Sequence, residues 1–421
     1  MKQKLLVSAL IAGGLLSPLA HATNGMLPNG YGIKSEGMAG IGYALPQDSI
    51  AAAMNPAGMV MVGDRADIGL LWFKPNRSAT VTAGGGIPAG TYDGNGRSNF
   101  FIPNFGYNKM ISSDTSLGIS VFGNGGMNTA YNNNPYQNFN AAAGAGTGGT
   151  AGVNLSQLFI SPTWSMKLNP TNSVGVSLNI AYQMFSATGI QGFAGFSANP
   201  AAGFNNPGTD TSHGYGLRFG WIGQITPAVS LGATYQTKTK MTKLSKYAGL
   251  FPDQGWFDIP ANFGFGTAIK ANSATTVAFD VERVQYSSVN SVGNSFPSPT
   301  NLPLGASNGP GFGWKDINIY KLGVSYDYSP GLTLRAGVDH CDQPVQSNQV
   351  MLNLLAPGVV QDHLTLGATW KLADKSEISI AYIHAFKATV SGSTPVLPGP
   401  TPSQNVSLSM YQDTIGISYG W

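Results

Sequence analysis

The chain has little charge. Only 10% of its 421 residues are Asp, Glu, Lys or Arg, where an ordinary soluble domain carries about 25%, so a soluble fold of this size would lack a polar coat. It has one cysteine, Cys341, which excludes an intramolecular disulfide and leaves no ligand-spaced pair of thiols for zinc. Beyond residue 22 no apolar run reaches the ~18 residues that a membrane-spanning helix needs. No field of one sign is present either: the formal net charge of +3 shrinks further if Lys2 and Lys4 are removed, which excludes nucleic acid as a partner. His213, His340, His363 and His384 are scattered, with no Ser/His/Asp order, HExxH or paired-carboxylate arrangement. No catalytic residue, metal or cofactor is expected. Asp339-His340-Cys341-Asp342 concentrates ligand-type side chains, but successive residues of a strand point to opposite faces and cannot converge on one ion.

What is abundant is glycine and aromatic residue: 56 Gly, 17 Tyr, 20 Phe and 7 Trp, with 42% apolar residues overall. Residues 1–22 read as an export signal, with Lys2 and Lys4 before an apolar stretch and Ala20-His21-Ala22 as the cleavage site. Period-two alternation then recurs to the end of the chain. Val174, Val176, Leu178, Ile180, Tyr182 and Met184 alternate with Ser173, Gly175, Ser177, Asn179, Ala181 and Gln183, and the same pattern holds around Leu332 to Val338 and Leu364 to Trp370. One face is apolar and the other small, polar or charged, as in a barrel that faces lipid outward. Short tips at residues 112–114, 169–172, 226–228, 271–273, 329–331 and 373–375 alternate with long Gly/Pro/Asn-rich connections such as 128–152, 189–212, 289–313 and 392–403. Six tight turns and seven long loops predict fourteen antiparallel strands, an all-β transmembrane barrel over residues 64–421 in the outer membrane of a Gram-negative cell. Ile415, Ile417, Tyr419 and Trp421 end the chain on an alternating apolar face that resembles the C-terminal signal read by barrel assembly machinery.

Residues 23–63 do not alternate. They carry Met26, Met38, Ile41, Leu45, Ile50, Met54, Met59 and Met61, too apolar for a disordered tail, with a short helix expected over 50–54 capped by Asp48 or Ser49. A fourteen-stranded barrel encloses more space than its own side chains fill, so this segment is expected to fold inward as a plug. Pro56 fixes its own backbone and disfavours helix at Asn55, and its replacement is expected to alter gating and not folding.

Gly37-Met38-Ala39-Gly40-Ile41-Gly42, then Asp48, then Asn55-Pro56-Ala57-Gly58 resemble the N-terminal hatch of the FadL/TodX outer-membrane transporters of long-chain fatty acids and hydrocarbons. Phe122-Gly123-Asn124-Gly125-Gly126 in the third strand, Asp342-Gln343-Pro344 after the eleventh and Leu355-Ala356-Pro357-Gly358 before the twelfth extend the likeness over essentially the whole mature chain. The resemblance implies passive transport of a hydrophobic small molecule: capture outside, an internal pocket, a hatch gated around Asp48, Asn55, Pro56, Ala57 and Gly58, and lateral exit through a gap made by a kinked third strand.

The residues support two of these points separately. From 115 to 209 the sole charged residue is Lys167, so strands three to five form a nearly uncharged wall, whereas a polar-solute porin, the alternative reading, is expected to line its constriction with opposed charges. Gly123, Gly125 and Gly126, flanking Asn124, weaken pairing mid-strand and permit a bulge. The loop after strand seven sets Lys238, Lys240, Lys243 and Lys246 beside Leu250, Phe251, Trp256 and Phe257, a surface for capture of substrate or for lipopolysaccharide phosphates and outer-membrane lipid. No cation lies between Lys167 and Arg218. Lys315, beside Asp316, is the candidate carboxylate partner, and neutral hydrocarbons are expected to be accepted at least as well as ionised fatty acids. The chain is read as a monomer.

Overall fold

The computed structural model describes residues 23–146, 149–396 and 402–421; the export-signal reading, and part of the expected 392–403 loop, lie outside them. The alternation closes into fourteen long antiparallel strands: β1 (Arg65–Val81), β2 (Phe100–Met110), β3 (Thr115–Asn128), β4 (Gly152–Asn169), β5 (Asn172–Thr188), β6 (Asp210–Thr226), β7 (Val229–Gln236), β8 (Asn262–Lys270), β9 (Thr275–Val284), β10 (Ile317–Ser329), β11 (Leu332–Cys341), β12 (Asp362–Lys371), β13 (Glu377–Ser393) and β14 (Asn405–Gly420). Each pairs with its neighbour in sequence along at least part of its length, and β14 returns to β1 from Asp67↔Gly420 to Val81↔Val406, so the sheet closes on itself. Short ladders at Gly90–Asp93 and Lys240–Met241 attach to β1 and β6.

The barrel is inverted relative to a soluble protein. Trp72, Leu117, Trp164, Leu178, Phe219, Phe265, Leu322, Leu366 and Ile417 stand exposed on its outside. Ser120, Gln157, Ser177, Asn179, Gln183, Thr234, Thr365 and Thr414 are buried within. Such an exterior is stable only against hydrocarbon. The tight turns fall where the sequence places them, and the other ends of the strands carry the long loops. Those loops pack on one another as a second, apolar core over the barrel mouth, including Tyr131, Phe193, Tyr247, Phe251, Tyr286, Phe296, Trp314 and Leu354.

Residues 24–60 are nearly all buried inside the barrel. The segment contains only short turns: a helix over Ile33–Glu36, 3₁₀ turns over Ala51–Ala53 and Pro56–Gly58, and a helix over Met59–Val62. The helix expected over 50–54 is thus a single 3₁₀ turn. Asp48 Oδ1 accepts from Ile50 N just ahead of it at 2.9 Å, while Ser49 is turned to the wall, donating from N and Oγ to Asp67 at 2.9 and 2.7 Å.

Candidate functional site

The wall is not continuously bonded. The β2–β3 ladder runs only from Met110↔Ser116 to Phe105↔Val121. Beyond it Phe100–Asn104 ladder with β1 but not with β3, and Phe122–Asn128 ladder with β4 but not with β2. The sequence supplies the cause: Pro103 offers no N–H, and opposite it lie Gly123, Gly125 and Gly126, which gain little from a ladder. The register on β4 slips between Gly123 and Gly125, so Asn124 is the extra residue of a bulge. Above this point the 94–96 segment bonds to Ala130. The result is a window in the wall, closed above and below.

Two groups fill that window. Ile102 crosses it from β2, close enough that a Cβ added to Gly123 would lie 2.9 Å from its Cγ2. From inside, Gly126 N donates to Met26 O at 3.0 Å, and a Cβ on Gly125 would overlap the same carbonyl. Met26 is itself held by the Tyr286 hydroxyl, which accepts from Met26 N at 3.1 Å and donates to Asn24 O. Beside the window Tyr31 donates to Asn124 Oδ1 at 3.1 Å and packs edge-on against Phe122, which packs in turn on Phe159.

The rest of the plug is seated on glycines. Side chains at Gly106 on β2, Gly175 on β5, Gly232 on β7 and Gly337 on β11 would overlap Ser49, Pro56, Tyr43 and Ala39, an approach that only glycine allows. Asn55 joins plug to wall: its Nδ2 donates to Tyr43 O at 2.7 Å and Trp221 O at 3.0 Å, and its Oδ1 accepts from Ala57 N at 3.1 Å. Its backbone is extended, as the following proline requires, and Pro56 both ends one turn and begins the next. Ala57 O accepts from Ser173 Oγ at 3.0 Å, and Gly58 packs against Pro46. At the turn end of the barrel an ionic chain links Lys34 to Glu377, Glu377 to Arg65 at 2.7 Å and Arg65 to Asp67 at 2.8 Å. Burial, with the Asp67 carboxylate close by, pushes the Asp48 carboxyl up to about 6.

The external loops differ from expectation. Leu250, Phe251 and Phe257 are buried in the loop core and not displayed for capture, because the loops fold against one another. Trp256 is exposed, with the Lys243 ammonium 4.9 Å above its ring. Lys240 pairs with Asp258, and Lys238 and Lys246 bond to the Ser288 and Thr209 carbonyls. Lys315 is exposed on the rim of an outward-opening pocket of ≈ 570 Å³. Asp316 does not neutralise it; that carboxylate faces Arg283 at 3.2 Å. Trp314 lines this pocket and also lines a small inner cavity beside Arg77, Met127 and Met410. Arg77, buried on β1, lies outside the cation-free stretch between Lys167 and Arg218, and nothing local in the sequence marks it as inward-facing. Asp339 faces inward against His363 at 2.6 Å and His340 outward against Asp362 at 2.7 Å, as strand alternation requires.

Residues 15–404 match the family of outer membrane protein transport proteins described as OMPP1/FadL/TodX. The chain belongs to this family. Its fold is shared with the Pseudomonas putida toluene transporter TodX (TM-score 0.69, 19% identity, 93% of this chain and 98% of that one). It is shared too with a Pseudomonas aeruginosa FadL homologue (TM-score 0.69, 16% identity, 96% and 99%). The Ralstonia pickettii toluene transporter TbuX is a third match (TM-score 0.63, 19% identity, 93% and 98%). No curated protein matches the chain.

In this FadL/TodX-family barrel the motifs at Asp342-Gln343-Pro344 and Leu355-Ala356-Pro357-Gly358 are loop anchors. Asp342 Oδ2 accepts from Asn318 N at 2.9 Å, Pro344 O accepts from Lys315 N at 3.0 Å, and Leu355 O accepts from Thr129 Oγ1 at 2.8 Å. The plug motif gives a direct prediction. Asn55→Ala leaves the buried Tyr43 carbonyl and the half-buried Trp221 carbonyl without their shared donor, a cost of ~1–3 kcal/mol borne by the plug and not by the ladders. Limited proteolysis should cut within residues 23–63 faster than in wild type while the barrel stays heat-modifiable; an unchanged rate contradicts the assignment.

Proposed function

We propose that this chain carries hydrophobic compounds, long-chain fatty acids or hydrocarbons, passively across the outer membrane. Substrate is captured at the external loops near Lys243, Trp256 and Lys315, passes beside Met26 and Tyr286, and leaves sideways between β2 and β3 into lipid. The Gly123-Asn124-Gly125-Gly126 bulge makes the exit. Asp48, Asn55, Pro56, Ala57 and Gly58 hold the hatch. The observation that carries this reading is the end of the β2–β3 ladder at Phe105↔Val121, opposite a run of glycines.

Energetics favour the sideways route. Releasing a chain of about fourteen methylenes into periplasmic water costs roughly 11 kcal/mol at ~0.8 kcal/mol each, a factor of about 10⁸, whereas release into lipid gives up none of it. The polar-solute porin is the weaker reading, since residues 24–60 fill the axial path. Uptake into proteoliposomes separates the two: a long alkyl compound should enter faster than through empty liposomes while a sugar does not. Preferential passage of the sugar overturns the proposal.

A further inference from the structure

The outward-opening pocket beside Lys315 lies at a definite height on the wall. Phe279, Val281 and Arg283 share the lipid-facing side of β9, as Leu322, Tyr320 and Asn318 share that of β10, and the ladder pairs Val281 with Tyr320 and Arg283 with Asn318. Phe279, Tyr320 and Leu322 are exposed, as residues that face hydrocarbon are. A tyrosine at the end of such a row marks the edge of the hydrocarbon, and Arg283 stands two residues beyond it, about 7 Å of strand. That is the level at which a glycolipid of the outer leaflet carries its phosphates and first sugars.

The lining of the pocket suits such a head group. It sets Arg283 and Lys315 against a single carboxylate, Asp316. That carboxylate is already engaged, accepting from Ser287 N at 2.9 Å and facing Arg283 at 3.2 Å. Arg283 also donates to Asn318 Oδ1 at 3.0 Å, and its guanidinium keeps further N–H groups for a ligand. The Lys315 ammonium, the Asn348 side-chain amide and the Ser287 and Ser295 hydroxyls, all on the lining, have no hydrogen-bond or ion-pair partner among the described residues. Lysine meets a phosphate as a point charge and arginine through its planar fork, while free amides and hydroxyls suit the hydroxyl groups of a sugar. The volume of ≈ 570 Å³ has room for a phosphorylated sugar, and so polar a lining gives a bare alkyl chain little to pack against.

We propose that this pocket binds the phosphorylated head group of an outer-leaflet glycolipid, lipopolysaccharide, and so ties the loops over 285–316 and 342–361 to the membrane surface. The inference goes beyond the transport reading above and does not depend on it. The test is native mass spectrometry of the detergent-purified protein with a deep-rough lipopolysaccharide, with the same lipid after enzymatic dephosphorylation, and with glucosamine 6-phosphate as a soluble competitor. Wild type should retain the intact lipid and lose it when the phosphates are removed. Lys315→Ala should weaken retention about fivefold, the worth of one cation at an anionic lipid surface. Lys315→Ala/Arg283→Gln should bring the intact lipid down to the level of the dephosphorylated one, and Lys371→Ala, at the turn end of the barrel, should change nothing. Equal retention of the two lipids by wild type, or intact-lipid retention by the double variant at the wild-type level, overturns the proposal. Full displacement by an equal concentration of glucosamine 6-phosphate would make the pocket a site for a soluble ligand, and displacement by a long-chain fatty acid would make it a capture site alone; either overturns it too. Should the double variant fail to assemble, Lys315→Ala and the dephosphorylated lipid decide.

Discussion

Deleting Asn124 should abolish uptake of hydrophobic substrate and leave the barrel intact. Asn124 is the one residue of β3 without a place in the β4 register, so its removal brings Gly123 and Gly125 into consecutive pairs with Leu158 and Gln157. The strand then has no bulge to carry it away from β2, and the ladder that stops at Phe105↔Val121 can extend past Asn104. With the window bonded shut, a long-chain substrate is left with the axial path, and the ~0.8 kcal/mol lost for each methylene released to water predicts a fall in uptake of at least about tenfold. Heat-modifiability and surface exposure of the external loops check that the barrel has assembled. Uptake at the wild-type rate in an assembled deletion protein refutes exit through this window.

The opposite result is expected when the plug is denied its seats. A Cβ on Gly232 would overlap the Tyr43 backbone carbonyl, and one on Gly220 would overlap the Asn55 side chain. In Gly220→Val/Gly232→Val neither segment can lie against the wall. The strands themselves lose nothing, since valine suits a ladder better than glycine does. An unplugged lumen of this strand number is too wide for its side chains to fill, so influx of a small polar solute should rise by about an order of magnitude or more. Single-channel conductance and antibiotic sensitivity both measure this, and an unchanged conductance in the double mutant shows that the plug does not depend on these seats.

The barrel was legible because its signal is repeated. Val174 to Met184 alternates with Ser173 to Gln183, lipid imposes that alternation on every strand, and each error of register would turn an apolar face into the lumen. The turns were legible for a similar reason, each being a short cluster such as Asn169-Pro170-Thr171-Asn172 between two such strands. The bulge was legible as glycine in the middle of β3. What escaped was everything set by contact between distant segments. Nothing local distinguishes Gly232 or Gly337, which seat the plug, from Gly214, a strand glycine that lies against the Lys240 carbonyl of an external loop. Phe251 and Phe257 read as a capture surface because their burial depends on how their own loop folds, bringing Tyr247 against Phe251, and on Phe185 of β5. Asp316 is adjacent in sequence to Lys315, yet the fold brings its carboxylate to Arg283. The short helix over 50–54 shrank to one turn because Ser49 is drawn to Asp67 on the wall.

Lateral release is the central claim, and the path of a substrate can be marked directly. A long-chain fatty acid carrying a photoreactive diazirine near its methyl end, loaded from the external side of proteoliposomes and illuminated during transport, should label peptides from Phe100–Met110 and Thr115–Asn128, with adducts at Phe101, Ile102 and the residues from Phe122 to Met127. The label should also reach lipid within the same exposure. Labelling concentrated on Met59–Val62 and the turn at 112–114, with none in the upper halves of β2 and β3, would mean that substrate passes down through the plug and would contradict the account.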